Sequence, residues 1–359
     1  MIRWRKGTVE GVRREWPGAV ELDVTISGDG PRRALAYPAL VGRPEPGDTV
    51  LLNTTALAMG LGTGGYAMVV AVPDRLPPDP QGPGHLVKAR YTPLQATVLG
   101  ADEQDSPHHE TLREADSLGG APVIVADLHS ALPAILAALL AERPGARAVY
   151  VMPDGGALPA WFSMSIARLR DAGALAATVT AGQAFGGDLE AVTVHTALLA
   201  ARLVLSADVV IVAQGPGNLG TGTRWGFSGV TAGEAVNAAA VLSGRPVASL
   251  RVSAGDKRER HLGVSHHSLT AYGRVALARA DVPVPELGGP FGARVAAEAA
   301  ALGERHDLVP VAVEGLRDVL AAAERDWGVR LSTMGRRLDE DLPYFLTAAA
   351  AGRHTATLL

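Results

Sequence analysis

The chain contains 359 residues, of which 47% are hydrophobic and 19% charged, and its formal net charge at pH 7 is −4. This length allows two domains, and the composition is typical of a globular protein with a sizeable buried core. The small negative charge provides no overall attraction to nucleic acids or anionic membranes, so we expect neither as a partner. The absence of cysteine excludes disulfides, thiolate metal sites and cysteine nucleophiles.

The sequence predicts no membrane-spanning or targeting segment. Its basic N-terminal residues lack the apolar region of a signal peptide. The longest apolar stretches, such as residues 130–141, are shorter than the ~20 residues that span a bilayer. We therefore expect a cytoplasmic protein.

Residues 1–75 alternate apolar and polar side chains in short stretches, for example residues 19–26, with turn signals between them. This pattern predicts a small N-terminal antiparallel β-barrel or sandwich domain. Residues 57–65 are rich in glycine, and they suit either a flap over a site or an ordinary hairpin loop.

Residues 76–90 begin with a proline-rich linker and end in a presumed first strand. Lys88 and Arg90 are two positions apart, so on a strand both side chains would point to the same face. This pair predicts either an anion-binding position or a solvated sheet edge.

Residues 91–345 predict an α/β domain with a doubly wound, mainly parallel sheet, because apolar strands and helical segments alternate along them. The predicted strands are residues 122–126, 148–152, 176–180, 209–213 and 247–252. Residues 283–290 are interpreted as a break between helices. Residues 331–359 are interpreted as a closing helical segment that ends in a C-terminal tail, residues 346–359.

Each predicted strand ends in a polar or glycine-rich loop, and parallel strands carry such loops to one rim of the sheet. We therefore expect a ligand site at this rim. The candidate residues in the first two loops are Asp127, His129, Ser130, Asp154, Gly155 and Gly156.

The strongest candidate for a ligand cradle is the glycine loop, residues 215–229, which follows the apolar strand 209–213. Glycines allow backbone N–H groups to approach an anion, and hydroxyl groups add further donors. Its spacing is neither that of a phosphate-binding P-loop nor a convincing dinucleotide fingerprint, since Pro216 removes a donor and no helix follows directly. The candidate ligand-binding residues here are Gln214, Gly215, Gly217, Asn218, Gly220, Thr221, Thr223 and Arg224.

Three histidines are candidates for general acid–base catalysis at the rim: His129, His266 and His267, with Asp127 as a carboxylate partner. The spacing of Asp127, His129 and Ser130 makes a hydrolase triad awkward, and no nucleophile elbow is present.

Two metal sites remain open as alternatives, because imidazoles and carboxylates are suitable ligands for zinc or manganese. The first alternative combines residues at strand ends, namely Asp127, His129, Asp154, His266 and His267. The second is the sequence His108, His109 and Glu110. Helix caps and exposed loops produce the same patterns, so we assign neither a metal nor a cofactor from the sequence.

Several long phrases resemble an uncharacterised bacterial family that is classed only as a domain of unknown function. They include HLVKARYTPLQ, ADLHSALPA, MPDGGALP, GPGNLGTGTRWGFSGV and RERHLGVSHHSLTAYGRVAL, and the resemblance extends from about residue 5 to residue 345. It implies a soluble bacterial protein, and it provides no reaction and no catalytic residue.

The sequence favours an enzyme that acts on a small anionic metabolite, a phosphate or a carboxylate, with Lys88, Arg90 and Arg224 supplying positive charge. A non-catalytic ligand-binding or regulatory protein that uses the same rim is the alternative, and a scaffold with a protein-binding rim is a third. We expect a homodimer, which is common for alanine-rich α/β domains of this size.

Overall fold

The computed structural model describes residues 1–359, and the chain divides into two compact units. The first unit comprises residues 1–83 and 87–97, and the second comprises residues 84–86 and 98–359. None of the helices is both long and apolar enough to cross a membrane.

The first unit contains a closed five-stranded barrel with the strand order β1-β2-β3-β5-β4. Its elements are β1 (Trp4–Trp16), β2 (Ala19–Ile26), β3 (Gly30–Ala36), α1 (Pro38–Val41), β4 (Thr49–Asn53), α2 (Thr55–Ala58) and β5 (Tyr66–Ala71). All neighbouring pairs are antiparallel except β3 with β5. The predicted N-terminal barrel is therefore confirmed. Its core is aliphatic, and Leu22, Val24 and Leu52 are among its fully buried members.

The chain passes between the two units through a ribbon of β6 (Leu86–Lys88) and β7 (Ala96–Val98). The strand ends at Lys88, because Ala89 and Tyr91 adopt positive φ angles of 48° and 62°. Lys88 and Arg90 therefore do not share one strand face as expected: Lys88 is buried, whereas Arg90 is exposed and lies over the ring of Tyr91.

The second unit contains an eight-stranded parallel sheet, which confirms the predicted α/β class. The strands are β8 (Pro122–Ala126), β9 (Ala148–Met152), β10 (Ala177–Ala181), β11 (Leu189–Ala191), β12 (Val209–Ala213), β13 (Arg245–Ala248), β16 (Asp281–Pro285) and β17 (Asp307–Val311). Their order across the sheet is β11-β10-β9-β12-β8-β13-β16-β17. Two antiparallel pairs accompany it, β14 (Val252–Ser253) with β15 (Gly263–Val264), and β18 (Ser332–Thr333) with β19 (Arg336–Arg337).

Helices cover both faces of this sheet. The helices of the unit are α3 (His109–Leu112), α4 (Leu132–Glu142), α5 (Met164–Asp171), α6 (Val194–Leu199), α7 (Thr231–Val241), α8 (His266–Thr270), α9 (Gly289–Ala299), α10 (Leu316–Trp327) and α11 (Leu342–Ala356). Helices α4, α5, α10 and α11 bury their apolar residues in one core cluster, and α6, α7 and α9 in the other. Helices α6 and α8 each continue into one turn of π-helix, Ala200–Val204 and Ala271–Val275.

The adjacent strands β8 and β12 send the chain to opposite faces of the sheet. Strand β8 leads into α4, and β12 leads into α7, which packs on the other core. A crevice opens outside the carboxyl ends of strands at such a switch point, and ligands of open α/β sheets bind there.

Strand β16 replaces the expected break at residues 283–290. The backbone N–H of Glu286 donates a hydrogen bond to the carbonyl oxygen of Val311 in β17. Successive residues of a strand point their backbone nitrogens to alternate sides, so the nitrogens of Pro283 and Pro285 face β13. Strand β13 pairs with β16 at one position only, Val247 with Asp281. The two prolines therefore remove donors on the edge where the strand forms little pairing.

The C-terminal segment differs from the expected tail, because residues 342–356 form the buried helix α11. Twelve of its residues are buried, Phe345 completely. A Cβ on Gly352 would overlap the carbonyl oxygen of Ile135 in α4, so the two helices are in close backbone contact. Helix α11 is thus part of the core of the second unit.

Candidate functional site

A cavity of about 300 Å³ lies at the switch point. Its lining comes from the carboxyl ends of β8, β9 and β12 and from helices α6 and α7. The charged groups in the lining are the carboxylates of Asp127, Asp154 and Glu234, and no lysine or arginine reaches it. The cavity itself therefore offers an anion no compensating charge.

The glycines of the two rim loops allow these loops to pack closely together. A Cβ on Gly155 would lie 2.7 Å from the side-chain oxygen of Gln214, and one on Gly156 would overlap the carbonyl oxygen of Gly215. A Cβ on Gly215 would in turn lie 2.6 Å from the carbonyl oxygen of Ala157. These three glycines are accounted for by loop packing.

The hydroxyl and amide groups of the glycine loop bond to one another. Thr221 and Thr223 are linked at 3.1 Å, and Thr223 also accepts the backbone N–H of Gly226. Asn218 accepts a hydrogen bond from Ser228 at 3.0 Å. Gly217 has a φ of 89° and open space around it, and Gly220 forms an isolated bridge with Phe227. The loop is thus a self-bonded hairpin, and an anion would have to compete for its donors.

His129 and Ser130 belong to a cluster separate from the other predicted catalytic residues. The two ring nitrogens of His129 bond to Tyr150 at 3.1 Å and to Ser163 at 2.7 Å. Burial lowers the pKa of His129 to about 4. Ser130 bonds to Thr333 and Tyr344 and provides no side-chain cap to the following helix.

Asp127, His266 and His267 do come together, at the carboxyl ends of β8 and β13. Asp127 Oδ2 lies 3.5 Å from Nδ1 of His267 and 3.7 Å from the buried guanidinium of Arg251. Both separations exceed a normal hydrogen bond, and Asp127 Oδ2 has no hydrogen-bond partner. Burial acts to raise the pKa of Asp127, but His267 and Arg251 outweigh it and hold the pKa below its ordinary value.

A network of alternating charges extends from Arg251. Its guanidinium lies 3.8 Å from Asp256, which accepts hydrogen bonds of 2.9 and 2.8 Å from Arg258. Arg336 bonds to Asp341 at 2.9 Å and approaches Asp256 at 3.4 Å. The hydrogen bonds from Arg258 hold the pKa of Asp256 far below its ordinary range.

Three histidines form a cluster beside this network: His261, His266 and His267, called here the histidine cluster. Their ring centroids are 4.4, 4.8 and 5.0 Å apart, and one nitrogen of each ring lies within 4.8 Å of one nitrogen of the others. The ring of His267 stacks on Phe227 at 3.8 Å.

His261 and His266 are neutral at pH 7. Burial, followed by the charges of Arg251 and Arg258, lowers the pKa of His261 to about 3. Burial, followed by the neighbouring His267 and Arg260, lowers the pKa of His266 to about 4. Nε2 of His266 is buried and has no hydrogen-bond partner.

His266 also lines a groove of about 880 Å³ on the surface of the second unit. Four arginines line this arginine groove, against a single carboxylate, that of Glu304; they are Arg224, Arg260, Arg274 and Arg305. Arg224, Arg260 and Arg274 form no ion pair or hydrogen bond, and Arg305 bonds to a backbone carbonyl at 3.3 Å. Arg224 is the predicted ligand-binding residue that the structure places in a basic site.

The remaining predicted residues lie elsewhere. Asp154 lines the switch-point cavity and accepts the N–H of Gln183, while Gln214 donates to the carbonyl oxygen of Asp127. Gly217 and Asn218 line a smaller pocket of about 230 Å³ together with His129 and Ser130. Lys88 and Arg90 belong to the first unit, and their role in binding remains a prediction.

The predicted site did not include Arg251, His261 or three of the four groove arginines. One signal was present for the groove: His266, Thr270 and Arg274 follow one another at intervals of four, which places them on one helix face. Arg260 and Arg305 carried no such signal, because they come from other parts of the chain.

The barrel and the doubly wound sheet define a protein with one β unit and one α/β unit. The chain belongs to the family described as "Protein of unknown function (DUF3866)", which matches residues 33–352, from within β3 to within α11. The predicted resemblance is thereby confirmed. No curated protein and no solved structure matched the chain.

Proposed function

We propose that the chain is an enzyme that acts on a small anionic metabolite, a phosphate or a carboxylate, held in the arginine groove. One observation carries this proposal: three guanidinium groups without protein partners surround a groove whose wall includes the neutral His266. The groove differs from the position expected at the glycine loop, although Arg224 of that loop is part of it.

The charge of the groove supports an anionic ligand. The chain as a whole carries a formal charge of −4, yet the groove combines four arginines with one carboxylate. Guanidinium groups present paired donors that match the oxygen atoms of phosphate and carboxylate. An unpaired arginine cluster on an acidic protein concentrates anions at that location.

The size of the groove supports a metabolite larger than inorganic phosphate. Its volume of about 880 Å³ falls within the range of about 300–1,000 Å³ that is usual for small-molecule sites. Trp225, with 55% of its surface exposed, forms part of the lining and offers a flat apolar contact.

The histidine cluster supports catalysis in addition to binding. His266 reaches the groove as a neutral imidazole, so it can accept a proton from a bound substrate. Alternatively, the three rings of the histidine cluster act together as metal ligands. Either role places a reactive group beside a bound anion.

The binding part of the proposal can be tested by calorimetric titration with inorganic pyrophosphate. We expect saturable binding to the wild type and its loss in a triple variant, Arg224→Gln with Arg260→Gln and Arg274→Gln. Each lost charged hydrogen bond of about 1.5 kcal/mol or more corresponds to a roughly tenfold weaker affinity.

A matched triple variant controls for the change in net charge. It replaces three exposed arginines outside the groove with glutamine, namely Arg32, Arg113 and Arg325. If both triple variants weakened pyrophosphate binding equally, binding would depend only on the overall charge, and the groove would not be the binding site.

A second candidate function is supported by the switch-point cavity. Its carboxylates and mostly apolar surroundings suit a cationic or hydroxylated small molecule in a non-catalytic, regulatory protein. A ligand that shifts the unfolding temperature of the wild type and of the groove triple variant equally would favour this alternative.

A further inference from the structure

We infer that the histidine cluster is a binding site for a divalent transition metal such as Zn²⁺, with His261, His266 and His267 as its ligands. This inference adds a metal to the proposed function, and only the role of the metal depends on that proposed function. The cluster itself is defined by the geometry of the three rings.

The separations of the rings suit three imidazoles around one ion. A Zn–N distance of about 2.0–2.1 Å places tetrahedral imidazole centroids about 5 Å apart, and the observed separations are 4.4, 4.8 and 5.0 Å. The ring planes are inclined to one another by 48° to 89°, so no pair of these rings is stacked in parallel.

Each ring has a nitrogen that is available to an ion. Nδ1 of His261 bonds to Ser265 at 2.8 Å, which leaves its Nε2. Nδ1 of His267 accepts from Arg251 at 3.3 Å and lies 3.5 Å from Asp127, so its Nε2 becomes a ligand by giving up its proton. Nε2 of His266 is buried without any partner. An unpartnered buried ring nitrogen is uncommon in proteins, and an ion provides the missing interaction.

The surroundings of two rings match those of metal-binding histidines. Such histidines usually donate their second N–H to a carboxylate or another oxygen, which fixes the ring and increases its basicity. Asp127 Oδ2, buried and unpartnered, would accept from Nδ1 of His267 once this nitrogen carries the proton and the contact with Arg251 is given up. Ser265 Oγ is placed to accept from His261. The nitrogens lie within 4.8 Å of one another, so binding requires them to move closer by up to about 1.5 Å to reach tetrahedral spacing.

The position of the cluster connects the ion to the arginine groove. His266 belongs both to the cluster and to the wall of the groove. An ion at this position would be a Lewis acid for an oxygen atom of the bound anion. Three protein ligands also leave a fourth position open, as is usual for catalytic zinc.

The experiment is a titration of the chelator-treated, full-length protein with Co²⁺, followed by visible absorption, and with Zn²⁺, followed by calorimetry. We expect one equivalent to bind with the absorption of a tetrahedral Co²⁺ site, and Zn²⁺ to displace it. We expect Asp127→Asn to weaken the affinity by about 10–100-fold, and His266→Gln to weaken it further.

A matched control is His108→Gln, which removes a histidine from the other motif considered as a metal site. We expect its metal affinity to equal that of the wild type. Equal affinities of the wild type and His266→Gln, or no saturable binding to the wild type, would overturn the inference.

Two further measurements keep the test decisive. Imidazole NMR signals of the wild type should shift together for three histidines on addition of Zn²⁺, and an unchanged spectrum would contradict the site even if a variant failed to fold. Pyrophosphate titration of the metal-free protein tests the groove separately. Metal binding without pyrophosphate binding would support this inference and refute the proposed function. Pyrophosphate binding without metal binding would refute this inference and support the proposed function.

Discussion

His129 illustrates how burial controls a side chain that the sequence singled out for catalysis. Its pKa in the folded chain is about 4, because partial burial of the ring beside Tyr150 and Ser163 disfavours its charged form. In the unfolded chain a histidine has a pKa near 6.5. Below pH 6.5 the imidazole of His129 is therefore protonated in the unfolded chain, whereas in the folded chain it is protonated only below about pH 4.

We predict that His129 makes the free energy of unfolding fall as the pH decreases from 6.5 to 4, by at most about 1.4 kcal/mol per pH unit. Above pH 6.5 its contribution is constant. Urea unfolding at several pH values should show that the free energy of unfolding depends less steeply on pH for His129→Gln than for the wild type. Identical slopes would mean that folding does not lower the pKa of His129.

Gly156 is a residue whose role is clear only from the structure. A Cβ at this position would overlap the backbone of Gly215, which cannot move as a flexible side chain can. We predict that Gly156→Ala lowers the free energy of unfolding by about 1–3 kcal/mol, as overpacking does.

Gly145 provides the matched control for this substitution, because no heavy atom lies within 4 Å of its added Cβ. Gly145→Ala should change stability by less than about 1 kcal/mol and can increase it. Thermal unfolding of the two variants provides the comparison, and equal midpoints would argue against close packing of the two rim loops.

Glu21 is a fully buried carboxylate in the barrel, 2.5 Å from Arg14 and 3.3 Å from Arg33. Burial alone would raise its pKa, but the arginines lower it below the ordinary value. We predict that Glu21→Gln destabilises the barrel by about 1–3 kcal/mol, since charged hydrogen bonds are lost at a buried position.

Asp23 on the same strand is the control, since it is half exposed and pairs with Arg13 at 3.0 Å. Asp23→Asn should cost less than about 1 kcal/mol, as is typical of surface ion pairs. If urea unfolding gives the two variants the same stability, the buried ion cluster does not stabilise the barrel.

At the scale of elements, α11 is the clearest departure from the sequence prediction. Residues 346–359 were expected to form a tail, but α11 buries its residues against α4. We predict that a chain ending at residue 345 fails to fold cooperatively, with loss of the sharp thermal transition of the second unit. A truncated chain that retained the wild-type midpoint would contradict this role of the helix.

The central strands could be predicted because each is a short apolar run between a helix and a turn, as at Val209–Ala213. Strand β11 was missed because it has three residues, and β16 because Pro283 and Pro285 resemble a loop. A closing helical segment was predicted, but the extent of α11 beyond residue 345 was not, because its alanines and threonines provide little amphipathic contrast although tertiary packing buries them on most sides.

The sites were predictable to the extent that they depend on strand order. Parallel strands bring their carboxyl ends to one rim, so the approach of Asp127 to the pair His266 and His267 followed from an α/β fold. The arginine groove did not follow from it. Its arginines come from the glycine loop, the segment after β14 and the segments that precede β16 and β17, and only the packing of these segments brings them together.

At the scale of the whole molecule, two features of the second unit adjoin: a groove that suits an anion and a histidine cluster that reaches it. Both features are required for an enzyme, whereas the groove alone is sufficient for a binding protein. The two possibilities differ in whether a bound anion is chemically converted.

The most direct measurement is therefore a turnover assay on phosphate and carboxylate metabolites that bind the wild type, with and without added Zn²⁺, followed by mass spectrometry. We predict conversion by the wild type and its loss in His266→Gln, while the metabolite still binds this variant. Tight, groove-dependent binding with no conversion of any bound metabolite would contradict the enzyme and leave a binding protein in its place.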